Sequence, residues 1–250
     1  MFISFMAFAA VFSIVVLVHE FGHFIIARKA GVKVREFSIG FPFSPILFTL
    51  FRHRETEFTV RLLPLGGFVS FSEEKSEGTG DLFGASYLTR ALIMSAGSIS
   101  NIICAFLIFV TVFILDRHLF ITEAVLASTR TVWAILYGSI IIIFNLLFGH
   151  GSMEGLAGPV GIATIAGQAA AKGLWNLIYF TGVLSISLGV MNLLPLPALD
   201  GGQLSMLLIE AVRKKPLSLK TYRVVNLIGL SLLIILTVLV TYKDITKLMA

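Results

Sequence analysis

Charge is what this sequence has least of. Asp, Glu, Lys and Arg make up 13% of its 250 residues, against roughly 25% in soluble domains. Hydrophobic residues make up 57%, and the mean hydropathy is +0.95. A water-soluble globule of this size could not hide so much apolar surface, so that class is excluded. Cysteine occurs once, at Cys104, which excludes an internal disulfide. Low-complexity tracts and internal repeats are also lacking, and so hydrophobic a chain is not a disordered one. What remains is an integral membrane protein, with the lipid bilayer as its first partner.

Four long apolar runs are present: Phe2 to Ile26, Leu92 to Leu115, Leu174 to Leu194 and Val224 to Tyr242. Each is near the roughly 20 residues that cross a bilayer as a helix. The first is too long for a cleavable signal peptide and has neither a basic start nor a small-residue cleavage site. Nine Lys and Arg residues lie between the first two runs, from Arg28 to Arg90. Five more lie between the last two: Arg213, Lys214, Lys215, Lys220 and Arg223. The positive-inside rule puts both basic loops in the cytoplasm and both termini outside. The net charge of +5 is therefore a topology signal, and no nucleic-acid partner is expected.

A fifth run, Val132 to Phe148, is at the short end for a span and is interrupted by Gly138 and Asn145. A crossing there would put the later helix ends on the wrong side of the bilayer from the first motif described below. Residues 132–148 are therefore expected to form an interfacial or re-entrant helix. The fold class expected is an all-α polytopic membrane protein in a single domain, 1–250. It has about four transmembrane helices (about 2–26, 92–115, 174–194 and 224–242) and a small membrane-associated β-hairpin.

The β element is expected in a cytoplasmic loop region, 33–72. In Glu57-Phe58-Thr59-Val60-Arg61-Leu62, polar and apolar residues alternate with period two, as in a half-buried strand. Leu63-Pro64-Leu65-Gly66-Gly67-Phe68-Val69-Ser70-Phe71 reads as a turn and a second short strand. Ser72 to Gly84 is acidic and Gly-rich, as in an exposed loop.

The first run contains His19-Glu20-Phe21-Gly22-His23. Histidines at i and i+4 stand one above the other on a helix, so both imidazoles can reach one ion, with Glu20 close enough to act on a bound water. Ionisable groups inside a membrane segment are costly and are functional candidates by default. A catalytic zinc takes three protein ligands and a water, so a third ligand is needed. His53, His118 and His150 qualify by type, but each stands in a loop without a supporting pattern. Asp200 is the better candidate, in Asn192-Leu193-Leu194-Pro195-Leu196-Pro197-Ala198-Leu199-Asp200-Gly201-Gly202. Two prolines end the helix there and the glycine pair lets the chain turn back.

These motifs resemble those of the site-2 protease family of intramembrane zinc metalloproteases, particularly the bacterial regulator-of-sigma-E protease branch. The resemblance extends to Arg61 through Val69, to Met94-Ser95-Ala96-Gly97 followed by Asn101, and to Gly158-Pro159-Val160-Gly161-Ile162. It implies one zinc ion per chain, bound by His19, His23 and Asp200, with Glu20 as catalytic base. It implies further that Asn192 contacts the substrate or its oxyanion, and that residues 57–71 are the family's membrane-associated β-loop. Gly66 and Gly67 in that loop, and Pro195 and Pro197 beside Asp200, are the other candidate substrate contacts. The implied location is a bacterial cytoplasmic membrane, with the active site towards the cytoplasm. One departure stands out. Only Asp116 to Thr131 separates the second run from the fifth, so the periplasmic PDZ domain of this branch does not fit, which leaves room for a partner in its place.

The activity so implied is hydrolysis in or near the transmembrane helix of single-pass proteins, such as anti-sigma-factor-like substrates or remnant signal peptides. Two other classes use the same residues. A catalytically inactive scaffold would have no need of Glu20. A small metal transporter would carry polar residues in several spans, whereas the second run offers only Asn101 and Cys104.

Overall fold

The computed structural model describes residues 2–63, 66–71, 82, 84–149 and 157–249. Among these, the chain forms α1 (Phe2–Lys29), β1 (Val34–Ile39), β2 (Ile46–His53), β3 (Thr56–Arg61), β4 (Gly67–Phe71), α2 (Tyr87–Leu115), α3 (Ile121–Leu147), α4 (Pro159–Ala171), α5 (Leu174–Asn192), α6 (Asp200–Arg213) and α7 (Leu219–Met249). Five helices are long and apolar enough to cross a membrane: α1, α2, α3, α5 and α7.

Four of the five follow the apolar runs of the sequence. The other, α3, absorbs the segment 132–148, which is continuous with a helix that starts at Ile121 and extends about 40 Å. Its first half was hidden by Glu123 and Arg130, whose charges lower its hydropathy most, and by hydroxyl residues. In the helix the hydroxyls satisfy themselves: Ser128, Thr129 and Thr131 each donate to the carbonyl four residues earlier, at 2.7–2.9 Å. Val132, Ile135, Leu136 and Ile143 then pack on a core of Ala105, Phe109, Ile186 and Val190 from α2 and α5.

By Gly158 the chain is back at the end of the bundle from which α3 set out. The amides of Gly158 and Gly161 donate to Asp244 Oδ2 at 2.9 and 2.8 Å, near the C-terminus of α7. Further along α4, Gly167 lies directly against Ser4 at the start of α1. So α5 starts from the same end as α1 and runs parallel to it. This is the parity the sequence motifs require, although α3 is long enough to span. It also explains the Gly-Pro-Val-Gly run: Pro159 opens the helix, and its first free amides close on a buried carboxylate. Replacing Asp244 by Ala should cost about 1–2 kcal/mol of stability, within the range for a lost helix cap. A lowered thermal midpoint in detergent would show it, and an unchanged midpoint would remove the clasp from the account.

The sheet is larger than a hairpin. Its order is β2-β3-β1-β4, with β1 parallel to β3 and antiparallel to β4. The two strands read from the sequence, β3 and β4, therefore do not pair with each other, because β1 lies between them. Antiparallel β2 completes the other edge. Phe37 and Phe58 turn one face of the sheet onto Phe24 of α1, with ring centroids 5.4 and 5.6 Å away. Phe24, Phe37, Val32, Val34 and Ile93 form the core beneath, joined by Leu82. Apart from Leu82 and Gly84, the acidic stretch 72–84 lies outside the described residues. Docked this way, β4 runs beside the His-Glu-x-x-His turn of α1.

A buried ion pair fixes α6. Arg90 Nη1 of α2 donates to Glu210 Oε2 at 2.7 Å, and both side chains are almost fully buried. Glu210 Oε1 accepts the Leu217 amide, and Arg90 Nη2 donates to the Tyr222 hydroxyl, which brings in α7. The C-terminal half of α6 is thus held between two other helices, while its first residue, Asp200, faces the centre.

Candidate metal centre

His19 and His23 lie one turn apart on α1, both buried, with their rings edge to face and centroids 4.8 Å apart. Their Nε2 atoms are 3.2 Å apart. Asp200 Oδ2 lies 3.1 Å from the first and 3.3 Å from the second. The structure thus brings together two motifs from opposite ends of the sequence.

Two features of this triangle fit a zinc ion. Ligand atoms about 2.0–2.1 Å from a tetrahedral zinc stand about 3.3–3.4 Å from one another, and the observed edges are close to that. Asp200 Oδ2 is also buried without a hydrogen-bond partner, although it lies between two imidazole nitrogens. A cation shared by all three atoms accounts for that orphaned oxygen. Burial alone would raise the Asp200 pKa, but the His19 and His23 rings against the carboxyl hold it below the usual value.

Neighbouring helices shape the triangle. His23 Nδ1 donates to the Ile93 carbonyl of α2 at 2.7 Å, which leaves Nε2 free to face Asp200. At Gly97, also on α2, an added Cβ would run into His23 Nε2 and come within 2.8 Å of His19 Nδ1. Only glycine lets α2 approach the rings this closely. On the other side Gly201 and Gly202 lie on the carbonyls of Leu193, Leu194 and Leu196, where no side chain fits. This close packing folds α6 back under α5 and aims Asp200 inward.

Glu20 lines a cleft of about 200 Å³ with His23, Phe68, Val69, Phe71, Leu82, Ile93, Met94, Asp200 and Gln203. A Cβ added at Gly67, at the start of β4, would come within 3.7 Å of Glu20 Cγ, and one added at Gly66 within 3.4 Å of Val16. Asn192 Nδ2 is 3.3 Å from His19 Nε2, at the edge of the triangle. Pro195 and Pro197 are not among the residues lining the cleft; Pro197 is packed against Gly229 of α7. His53 ends the exposed strand β2, and His118 stands in the α2–α3 turn. His150 lies outside the described residues. A larger cavity, of about 540 Å³, opens at the other end of α2 and α5, and none of the site residues lines it.

A family model described as Peptidase family M50 matches residues 7–236. The chain belongs to peptidase family M50. This is the site-2 protease family that the motifs resembled, and the match covers nearly the whole bundle. A Clostridium perfringens protein provisionally named a zinc metalloprotease is 30% identical, with 94% of this chain and 96% of that protein covered. Another so named, from Agrobacterium fabrum, is 27% identical over 96% of this chain and 95% of that protein. Zinc metalloprotease RasP of Geobacillus kaustophilus is 47% identical over 103 residues, which is 41% of this chain and 24% of that protein. The Clostridium alignment runs over 324 residues, more than the 250 residues here, so part of that relative has no counterpart in this chain.

Sequence reasoning did not foresee two contributors to the centre: the Ile93 carbonyl and the bare backbone at Gly97. A main-chain acceptor has no residue-type signature. Gly97 stands in a run quoted for the resemblance, but its use depends on where α2 crosses α1.

Proposed function

We propose that the chain is an intramembrane zinc metalloendopeptidase that cleaves single-pass proteins in or beside their membrane helix. The observation that carries this reading is the triangle of His19, His23 and Asp200 with Glu20 in the adjoining cleft. His19, His23 and Asp200 would hold the zinc, which would supply Lewis-acid chemistry: a more acidic water and a polarised carbonyl.

The chain's own residues supply the rest. Glu20 takes the proton of the attacking water on a carboxylate oxygen and hands it to the amide nitrogen that leaves. The Asn192 amide, beside His19 Nε2, donates a hydrogen bond to the oxygen that gains charge as the carbonyl is attacked. Pro195 and Pro197 end α5 and so let Asp200 turn inward.

A peptide bond in a helix is shielded, so the substrate must first be opened. Among the described residues β4 is an edge strand, paired with β1 on one side only. Consecutive residues of a strand point to opposite faces, yet both Phe68 and Val69 line the cleft. The cleft therefore follows the strand's free edge. An extended substrate segment pairs along that edge, which replaces the helical hydrogen bonds it gives up. Gly66 and Gly67 leave the entry to this edge free of side chains.

The basic residues before α2 and between α6 and the body of α7 put the centre on the cytoplasmic side of a bacterial membrane, with both termini outside. The substrate class fits this placement, from anti-sigma-factor-like proteins to remnant signal peptides. The test uses proteoliposomes holding the full chain and a single-pass substrate with a Gly-Gly pair in its helix. Changing that pair to Leu-Leu should slow cleavage roughly tenfold or more, the cost of opening two stronger helix formers. Equal rates would remove the strand-pairing step. No cleavage of either substrate by zinc-loaded protein would overturn the proposed activity.

A further inference from the structure

We infer that Asn101 is a positioning residue for the centre, its amide oxygen accepting the Nδ1–H of His19. The inference rests on the metal reading above and extends it to a residue that touches neither metal nor substrate.

Asn101 sits in the middle of α2 and is completely buried. A polar side chain at that depth of a membrane helix needs a reason to be there. Its amide group reaches His19: Nδ2 lies 3.5 Å from Nδ1 of the ring, while Oδ1 is buried with no partner.

The tautomer of His19 decides which end of the amide must face it. Nε2 is the atom turned towards Asp200 and His23 Nε2, at 3.1 and 3.2 Å. As a ligand of the proposed zinc, Nε2 carries the lone pair, which leaves the ring's single proton on Nδ1. With Nδ2 facing the ring, two donors oppose each other and Oδ1 stays orphaned. The two ends of an amide are nearly equal in size, and half a turn about the last side-chain bond exchanges them. After that turn Oδ1 accepts the Nδ1–H, so the opposed donors no longer face each other and the buried acceptor gains a partner.

The arrangement repeats what α2 already does for the other ligand, where the Ile93 carbonyl accepts from His23 Nδ1. One helix thus orients both rings, the outer-shell role that fixes tautomer and ring direction in metal sites. Asn101 is itself anchored. Its main-chain carbonyl accepts from Ser185 Oγ of α5 at 2.9 Å, and its Cβ lies 3.4 Å from where a Cβ on Gly189 would stand. The α2–α5 crossing therefore sets where the amide stands against His19.

The experiment measures zinc affinity by chelator competition on the detergent-purified full chain, with the cobalt(II) absorption spectrum as a second readout. Asn101→Leu should weaken zinc roughly 10–100-fold, the usual cost of losing such a partner, and change the cobalt spectrum. Asn101→Asp keeps an acceptor at the same place and should bind zinc at least as tightly as wild type. Unchanged affinity and spectrum in Asn101→Leu would overturn the inference. So would Asn101→Asp losing affinity, because that result would make the NH2 group the functional end. If the Leu variant does not fold, the Asp variant decides alone. Asp200→Ala separates the two levels: zinc lost there but kept in Asn101→Leu rejects only the role of Asn101. Zinc kept in both rejects the metal centre.

Discussion

A Glu20→Gln variant is expected to keep about one zinc per chain and to cleave its membrane substrates roughly 10²–10⁴-fold more slowly than wild type. Gln has the same length and shape as Glu, so the lining of the cleft remains. The three atoms of the triangle belong to other side chains and are untouched. What is lost is the oxygen that can hold a proton between its removal from water and its delivery to the leaving nitrogen. The effect should therefore appear in the chemical step, with substrate binding little changed. Metal analysis and a cleavage assay on the same preparation read both quantities. A fully active variant would mean that another group takes the proton, and no other carboxylate besides Asp200 lines the cleft among the described residues.

The parts of this centre that could be read in the sequence are those fixed by local geometry. Two histidines one helical turn apart must share a face, and that holds whatever the rest of the chain does. Asp200 could be assigned because its surroundings, two prolines and two glycines, dictate a reversal of the chain there. The existence of α1, α2, α5 and α7 followed from the length of apolar sequence a bilayer demands, although α2 starts earlier than its apolar run and α7 extends beyond its run at both ends. The sheet was only half legible. β3 alternates and was visible, but Ile46 to Phe51 in β2 is apolar on nearly every residue, so it shows no period, and β1 owes its place to pairing partners on either side. The start of α3 was hidden because Glu123 and Arg130 put charge there, and because Ser128, Thr129 and Thr131 count as polar by type yet bond within their own helix. Asn101 was visible as an odd residue in an apolar span. Its target was not, because that depends on the rotation of α2 against α1.

Removing the third ligand should have the largest effect on the metal. Asp200→Ala leaves two imidazoles on one helix, and the zinc affinity is expected to fall by more than the roughly 10–100-fold that an outer-shell loss costs. The fold around the vacated position should persist, because α6 is held by means other than the metal: the Arg90–Glu210 pair and the packing of Gly201 and Gly202 under α5. This separation can be tested by thermal unfolding in detergent. In the proposed centre zinc would bind the folded wild-type chain through residues from two distant parts of the sequence, and a ligand specific to the folded state raises the midpoint. A strong chelator should therefore lower the midpoint of wild type and of Glu20→Gln, and leave that of Asp200→Ala where it was. If the chelator shifted all three equally, the stabilising ion would be bound elsewhere. If it shifted none while metal analysis still found one zinc per chain, the ion would be held without linkage to folding, and the convergence of α1 and α6 would owe nothing to it.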